Sequence, residues 1–282
     1  MESERRQFLK TVGGVTLGMV AFSGMAGLAA CNAKEVTEGA SAKAIPPVTP
    51  ATTPPAAAQL VALPWPYKKL DPVAAAERAY TAYSNGGCMY GAFEGIVGEL
   101  KAVAGEPFTT MPTAFAKYGG AGVSGWGTLC GALNGAAAAI YLVHEAKTGG
   151  PIINELYGWY GLEALPDYKP KTPKFDIATS VADSQLCHQS VTKWCDKTGF
   201  KTSSPERAER CAWLTASVVR YTVELLNKQA DAGSITVVHA VPSTVKGCLV
   251  CHGKGGALEN VHITNQTSCV SCHTVLPASH PK

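Results

Sequence analysis

The C-terminal tail, residues 236–282, constrains the chain most. Cys248-Leu249-Val250-Cys251-His252 and Cys269-Val270-Ser271-Cys272-His273 are two copies of C-x-x-C-H, the pattern by which a c-type haem is attached. Two thiols three positions apart can form thioethers to both vinyl groups of one porphyrin, and the adjacent histidine then reaches its iron. With 10 cysteines and 7 histidines in 282 residues, one chance copy has an expectation of roughly 0.01. A Cys2His2 zinc site, the competing reading, would need no histidine directly after the second cysteine. So short a tail cannot build a core unaided, and two covalently bound haems would supply the apolar surface it lacks. Cys248, Cys251, Cys269 and Cys272 therefore read as haem attachment sites, with His252 and His273 as proximal iron ligands.

Each motif has a second histidine upstream, His239 before Cys248 and His262 before Cys269, so the tail is a twofold repeat. A second imidazole on each iron gives a low-spin centre that changes little on redox and suits electron transfer. A vacant sixth position would suit catalysis or ligand sensing instead. The competing reading of each upstream histidine is a solvated loop residue. His188 and His280 are the reserve candidates, and His144, between Val143 and Glu145 in a predicted helix, reads as structural.

The N-terminus reads as an address. Arg5-Arg6 precedes an uncharged, Gly-rich apolar stretch over residues 12–30. That stretch is long enough to span a bilayer, but its glycines and its position behind two arginines fit a twin-arginine export signal better. Leu28-Ala29-Ala30-Cys31 resembles a lipobox, which would place a lipid anchor at Cys31; the alternative is ordinary cleavage near the same small residues. Both predict a periplasmic protein, soluble or tethered. The twin-arginine route exports folded proteins, often with a cofactor already inserted, and periplasmic haem attachment alone does not call for it. Residues 31–66, rich in Ala, Pro and Thr, read as a semi-extended linker.

Residues 67–235 read as one helical domain. Asp71-Pro72 gives an N-cap and N1 proline, and Asn85-Gly86-Gly87 a stop. Phe93, Ile96, Val97, Leu100 and Val103 recur at helical spacing. The pattern predicts further helices over 128–147, after Pro151, over 183–197, and from Ser204-Pro205-Glu206 to about Asp231. No alternating apolar stretch of useful length occurs between Asp71 and Asp231. The expected fold class is an all-α domain followed by a short, mostly irregular dihaem tail. A net charge of +3 from 24 basic and 21 acidic side chains leaves no basic footprint for nucleic acid.

Five further cysteines lie in the helical domain: Cys88, Cys130, Cys187, Cys195 and Cys211. They could be core cysteines or form disulfides in an oxidising compartment, although an odd number prevents complete pairing. They could equally hold a four-thiolate metal or iron–sulfur site.

Cys130-Gly131-Ala132-Leu133-Asn134-Gly135 resembles the C-G-A-x-x-G element of a redox-active family named for its C, C-G-A-x-x-G, C and C pattern. Cys88 lies upstream, and Cys187 and Cys211 lie downstream. A domain of this type followed by two haem motifs resembles the split-Soret cytochromes c of sulfate- and nitrate-reducing bacteria. The resemblance implies a periplasmic homodimer with closely stacked bis-histidinyl haems. It also implies a non-haem iron–sulfur centre on Cys88, Cys130, Cys187 and Cys211, with Cys195 as a rival to Cys187. At least one haem would take its distal histidine, His239 or His262, from the other subunit.

Gly120-Ala121-Gly122-Val123-Ser124-Gly125 fits G-x-G-x-x-G, but a dinucleotide site needs a preceding strand and this segment follows a predicted helix. Its expected role is close backbone approach, its N–H groups and the next helix's N-terminus favouring a thiolate at Cys130. The small face formed by Gly131, Gly135 and Ala139 predicts tight helix packing. The chain thus reads as an exported dihaem cytochrome c transferring electrons between respiratory partner proteins, with an added iron–sulfur centre. The alternatives are a haem- or thiol-dependent oxidoreductase acting on a small substrate, and a structural zinc or disulfide protein.

Overall fold

The computed structural model describes residues 61–239 and 243–259, with Gln266 and Cys269. All belong to the compact unit Ala58–Lys282. The export signal, Cys31 and most of the linker lie outside the described residues, as do His262, Cys272, His273 and His280. The end of the predicted linker is already packed: the Trp65 backbone N–H donates to the Leu142 carbonyl at 2.7 Å, and its ring stacks edge-on against Phe108.

Helix α1 (Pro72–Ala104) is capped as the sequence predicts, Asp71 accepting from the Val73 N–H at 2.8 Å. It is not straight. Gly87 has φ 78° and ψ −169°, a conformation that favours glycine, and the chain reverses there. Arg78 pairs with Glu99 at 2.6 Å, yet 21 residues of straight helix would span about 30 Å. The predicted stop at Asn85-Gly86-Gly87 is therefore the turn between two antiparallel arms, 72–86 and 88–104. Gly95 permits their contact, since a Cβ there would lie 2.7 Å from the Ala79 Cβ. Phe93, Ile96, Val97 and Leu100 are buried as expected, whereas Val103 is exposed.

Two short 3₁₀ segments (Phe108–Thr110 and Thr113–Gly119) lead to α2 (Gly131–Val143) and α3 (Ala146–Leu162). The predicted continuous helix to Lys147 breaks at His144, which is extended at φ −139°, ψ 140°. The reason is tertiary, because the Leu142 carbonyl is taken by Trp65. Pro151 lies inside α3 rather than before a short helix. Gly131 and Gly135 pack on the 88–104 arm as predicted: a Cβ at 131 would lie 2.5 Å from the Gly119 carbonyl oxygen and 2.9 Å from the Met89 nitrogen.

Strands β1 (Ala164–Leu165) and β2 (Ser180–Val181) form a two-residue antiparallel ribbon that the alternation test is too coarse to see. Helix α4 (Cys187–Thr198) starts later than predicted, Asp183 having φ 53°. Helix α5 (Pro205–Ala232) is capped by Ser204 as expected. It lies along both arms of α1 and closes the core around Leu133, Ile140, Leu156, Leu214 and Val218. The domain is all-α apart from that ribbon. In the tail, α6 (Ser243–His252) carries the first C-x-x-C-H motif; most of the rest of the tail lies outside the described residues.

Candidate functional site

Three helix beginnings converge on one cavity. Cys88 opens the second arm of α1, Cys130 is the N-cap of α2, and Cys187 is the first residue of α4. Cys211, in the second turn of α5, is the fourth cysteine lining the cavity, with Tyr160, Ser190 and Arg210. Cys195, two turns along α4 from Cys187, is not among the lining residues. Cys130 and Cys187 are set side by side by pairing between their approach segments. Leu129 and Leu186 form an antiparallel bridge, the Cys130 N–H donates to Gln185 O at 2.9 Å, and the Cys187 N–H donates to Thr128 O at 2.7 Å.

The glycine-rich loop is a left-handed turn. Ala121, Gly122, Val123, Ser124 and Gly125 all have φ between 48° and 85°, and a 3₁₀ segment rather than a strand precedes it. Left-handed geometry costs a non-glycine residue about 1–2 kcal/mol. The turn aims the Ala121 N–H at the Cys88 sulfur and brings Gly122 against α4, where a Cβ would lie 2.9 Å from that of Cys187. The expected close approach is present, but the loop amide serves Cys88 rather than Cys130. Cys130 is served by the Ala132 and Leu133 N–H groups of its own helix, and its side chain is in hydrogen-bond contact with that of Tyr160.

Burial pushes the Cys88 and Cys130 thiols up, and neighbouring thiols add to it; Cys187 is pushed up to about 12 by the same causes. Without a metal these three sulfurs are protonated at neutral pH. Their surroundings are nevertheless built for negative charge. Three helix N-termini present positive dipole ends, and Arg210, 1% exposed, lies against Cys211, Tyr160 and Cys130. Its Nη2 donates to Ser190 Oγ at 2.9 Å, an oxygen that also accepts from the Tyr160 hydroxyl at 2.9 Å, while its Nε has no hydrogen-bond partner. Arg210 and Arg207 both hydrogen-bond Cys211. A buried guanidinium with no anionic partner costs several kcal/mol. Thiolates bound to iron would supply the missing charge, so this donor set fits an anionic metal centre. Among the described residues no three His, Cys, Asp or Glu side chains meet closely enough to hold a single ion; the four thiols surround a cavity instead.

In the tail, α6 sets Cys248 and Cys251 one turn apart on one face, with His252 next to them; both thiols are free and partly accessible, which suits attachment to one porphyrin. The Cys269 thiol shares a hydrogen bond with that of Cys248, so the first cysteines of the two motifs lie together. His188 is exposed in the first turn of α4. His144 caps the C-terminus of α2 rather than sitting within a helix, and burial pushes its pKa down.

His239 is held against the helical domain. Its Nδ1 lies 2.7 Å from Glu155 Oε1, and the Val238 and His239 N–H groups donate to Glu155 Oε2 at 2.6 and 2.9 Å. The Tyr221 hydroxyl donates to Oε1 at 2.7 Å. Burial by itself would push the Glu155 carboxyl up; the His239, Tyr221 and Val238 hydrogen bonds outweigh it and hold it below its ordinary value. Sequence reasoning passed over Arg210, Tyr160 and Glu155. The available signal was phase: Arg210 is in step with Leu214 and Val218, and Glu155 with Ile152 and Trp159, on buried stripes.

The family described as "Putative redox-active protein (C_GCAxxG_C_C)" matches residues 81–225. Its name orders the central element Gly-Cys-Ala-x-x-Gly, whereas this chain reads Cys130-Gly131-Ala132, with cysteine and glycine exchanged. Packing explains why glycine stands at 131, where the Gly119 carbonyl and the Met89 nitrogen leave no room for a Cβ. "Split-Soret cytochrome c" of Desulfovibrio desulfuricans is 36% identical over 225 residues, 77% of this chain and 80% of that protein. The solved structure "A novel iron centre in the split-Soret cytochrome c from Desulfovibrio desulfuricans ATCC 27774" superposes with a TM-score of 0.71 at 35% identity. It covers 77% of this chain and 93% of the other. A shared helical scaffold, the match to the redox-active domain and identity at this level along most of both chains leave one assignment: the protein belongs to the split-Soret cytochrome c family and is a redox cytochrome.

Proposed function

We propose that the protein is an exported dihaem c-type cytochrome that passes electrons between partner proteins of anaerobic respiration in the periplasm. We assign it an iron–sulfur centre on Cys88, Cys130, Cys187 and Cys211. The observation that carries this reading is the cavity, lined by four cysteines from four separate elements beside the buried Arg210, whose Nε has no hydrogen-bond partner. When bound, an iron–sulfur cluster supplies one-electron chemistry. The chain's own residues do the rest. The thiols release their protons on metal binding. The fixed N–H groups of Ala121, Ala132 and Leu133 and the guanidinium groups of Arg207 and Arg210 then hold the negative charge without rearranging. Leu214, Val191 and Ala132 complete the apolar wall.

Haem c is attached through Cys248 and Cys251 and through Cys269 and Cys272, with His252 and His273 proximal and His239 and His262 distal. Ligation from both sides leaves no open iron position, so transfer is outer-sphere rather than substrate turnover. A homodimer covers the haem faces that so short a tail leaves open, by the usual twofold solution. Arg5-Arg6 supports export, and Cys31 supports a lipid tether.

The test is anaerobic purification with quantification of haem, total iron and acid-labile sulfide, plus molar mass in solution. Two haems per chain, iron in excess of haem, sulfide, and twice the chain mass are expected. Haem iron alone in protein never exposed to air overturns the cluster and leaves disulfides as the role of these thiols. A monomer with both irons low-spin overturns the exchange of ligands between subunits.

A further inference from the structure

The contacts of His239 say more than that it is near a haem motif. Glu155 is 1% exposed, and all four of its polar contacts are donors: the Tyr221 hydroxyl, the Val238 and His239 N–H groups, and the His239 ring. A carboxylate only accepts, so Nδ1 of His239 carries the proton. When the ring binds a metal, its lone pair is thereby on Nε2. That nitrogen faces Glu163 Oε1 at 3.4 Å, a carboxylate half-exposed and able to withdraw into water.

The surroundings keep this arrangement rigid. Trp159 stacks on Tyr221 with centroids 4.4 Å apart, and Tyr221 meets the His239 ring edge-on at 6.3 Å. Gly158 lets the 239 backbone lie directly on α3, since a Cβ there would run into the His239 carbonyl. A metal-bound histidine commonly donates its other ring N–H to a carboxylate. That partner fixes the tautomer and raises the ligand's basicity.

We propose that Glu155 is a positioning residue for the haem ligand His239, holding Nε2 toward the iron and lowering that haem's potential through the Nδ1–H···carboxylate bond. The proposal rests on the reading of His239 as a distal ligand. It also assigns α3 a task the cysteine pattern does not suggest, that of tying one haem to the helical domain across 84 residues of sequence.

The test uses the full-length, haem-loaded protein. His239→Ala is expected to turn one haem high-spin in the visible spectrum. Glu155→Gln is expected to keep both haems low-spin and to shift one potential upward, by 59 mV for each tenfold loss of preference for ferric iron. Tyr221→Phe removes the hydroxyl that competes for the same Oε1, strengthens the histidine bond, and shifts that potential downward. Opposite shifts from neighbouring substitutions separate electronic positioning from general loosening, which would move both the same way. If His239→Ala leaves both haems low-spin, the ligand reading fails. If it creates high-spin haem while Glu155→Gln and Tyr221→Phe leave the potentials unmoved or move them together, the role given to Glu155 is overturned and the ligand reading stands.

Discussion

Arg210 should have opposite effects on stability depending on whether the thiol cavity holds metal. Its guanidinium is fully buried, with Ser190 Oγ as a neutral acceptor and Nε unpartnered. In the loaded protein it faces thiolates, and removing one partner of a buried ionic contact costs about 3–5 kcal/mol. In the metal-free protein the thiols are protonated and the charge has no counterpart. Replacing it by an apolar side chain then gains about 1–4 kcal/mol. Methionine is the replacement of choice because it is unbranched and fills irregular space, and Ser190 keeps its bond from Tyr160. For a domain of this size 1 kcal/mol moves Tm by about 2–4 °C. Arg210→Met should therefore lower the Tm of loaded protein by about 6–20 °C and raise that of metal-free protein by about 2–16 °C. Far-UV circular dichroism of anaerobic samples, before and after removal of non-haem iron by a chelator, measures both. Equal destabilisation of the two states would refute the charge argument and make Arg210 a plain donor to Ser190.

Cys88, Cys130 and Cys187 hold their protons more tightly folded than in the ordinary thiol range near 9. The stability they contribute to metal-free protein is whole below that pH and is lost as pH rises toward the folded values, by about 1.4 kcal/mol per pH unit for each thiol. Urea unfolding at neutral and alkaline pH should show that decline in metal-free protein, whereas loaded protein should lose its centre as pH falls and protons compete for the sulfurs. Gly131→Ala places a Cβ 2.5 Å from the Gly119 carbonyl oxygen. It should destabilise by about 1–3 kcal/mol and reduce non-haem iron per haem, as thermal unfolding and iron analysis would show. Ser124→Gly relieves an exposed left-handed residue at φ 48° and should stabilise by about 1 kcal/mol, read from Tm, with haem content unchanged.

The sequence by itself determined the features that local chemistry specifies. The C-x-x-C-H spacing belongs to the haem, and the Asp71-Pro72 and Ser204-Pro205 starts belong to orphan N–H groups at helix ends; both starts form as read. The break at Asn85-Gly86-Gly87 was legible for the same reason, since only glycine takes that backbone conformation cheaply, whereas the antiparallel return of the chain was not. Periodicity was weaker where a neighbour intervened. It carried α2 past His144 because nothing in the local pattern says that Trp65 takes the Leu142 carbonyl.

What only the tertiary structure decided is which groups share one low-dielectric space. Cys187 and Cys195 lie on the same predicted helix, and periodicity puts both on one face. The pairing of 127–130 with 185–188 brings the first to the cavity and leaves the second off its lining. Only helical phase marks Arg210 and Glu155 as core-facing charges in the sequence. Each is buried because its helix stripe faces a partner distant in the chain, Arg210 the sulfurs of Cys130 and Cys187 and Glu155 the His239 segment. Burial without water makes those long-range partners decisive, and sequence spacing does not encode them.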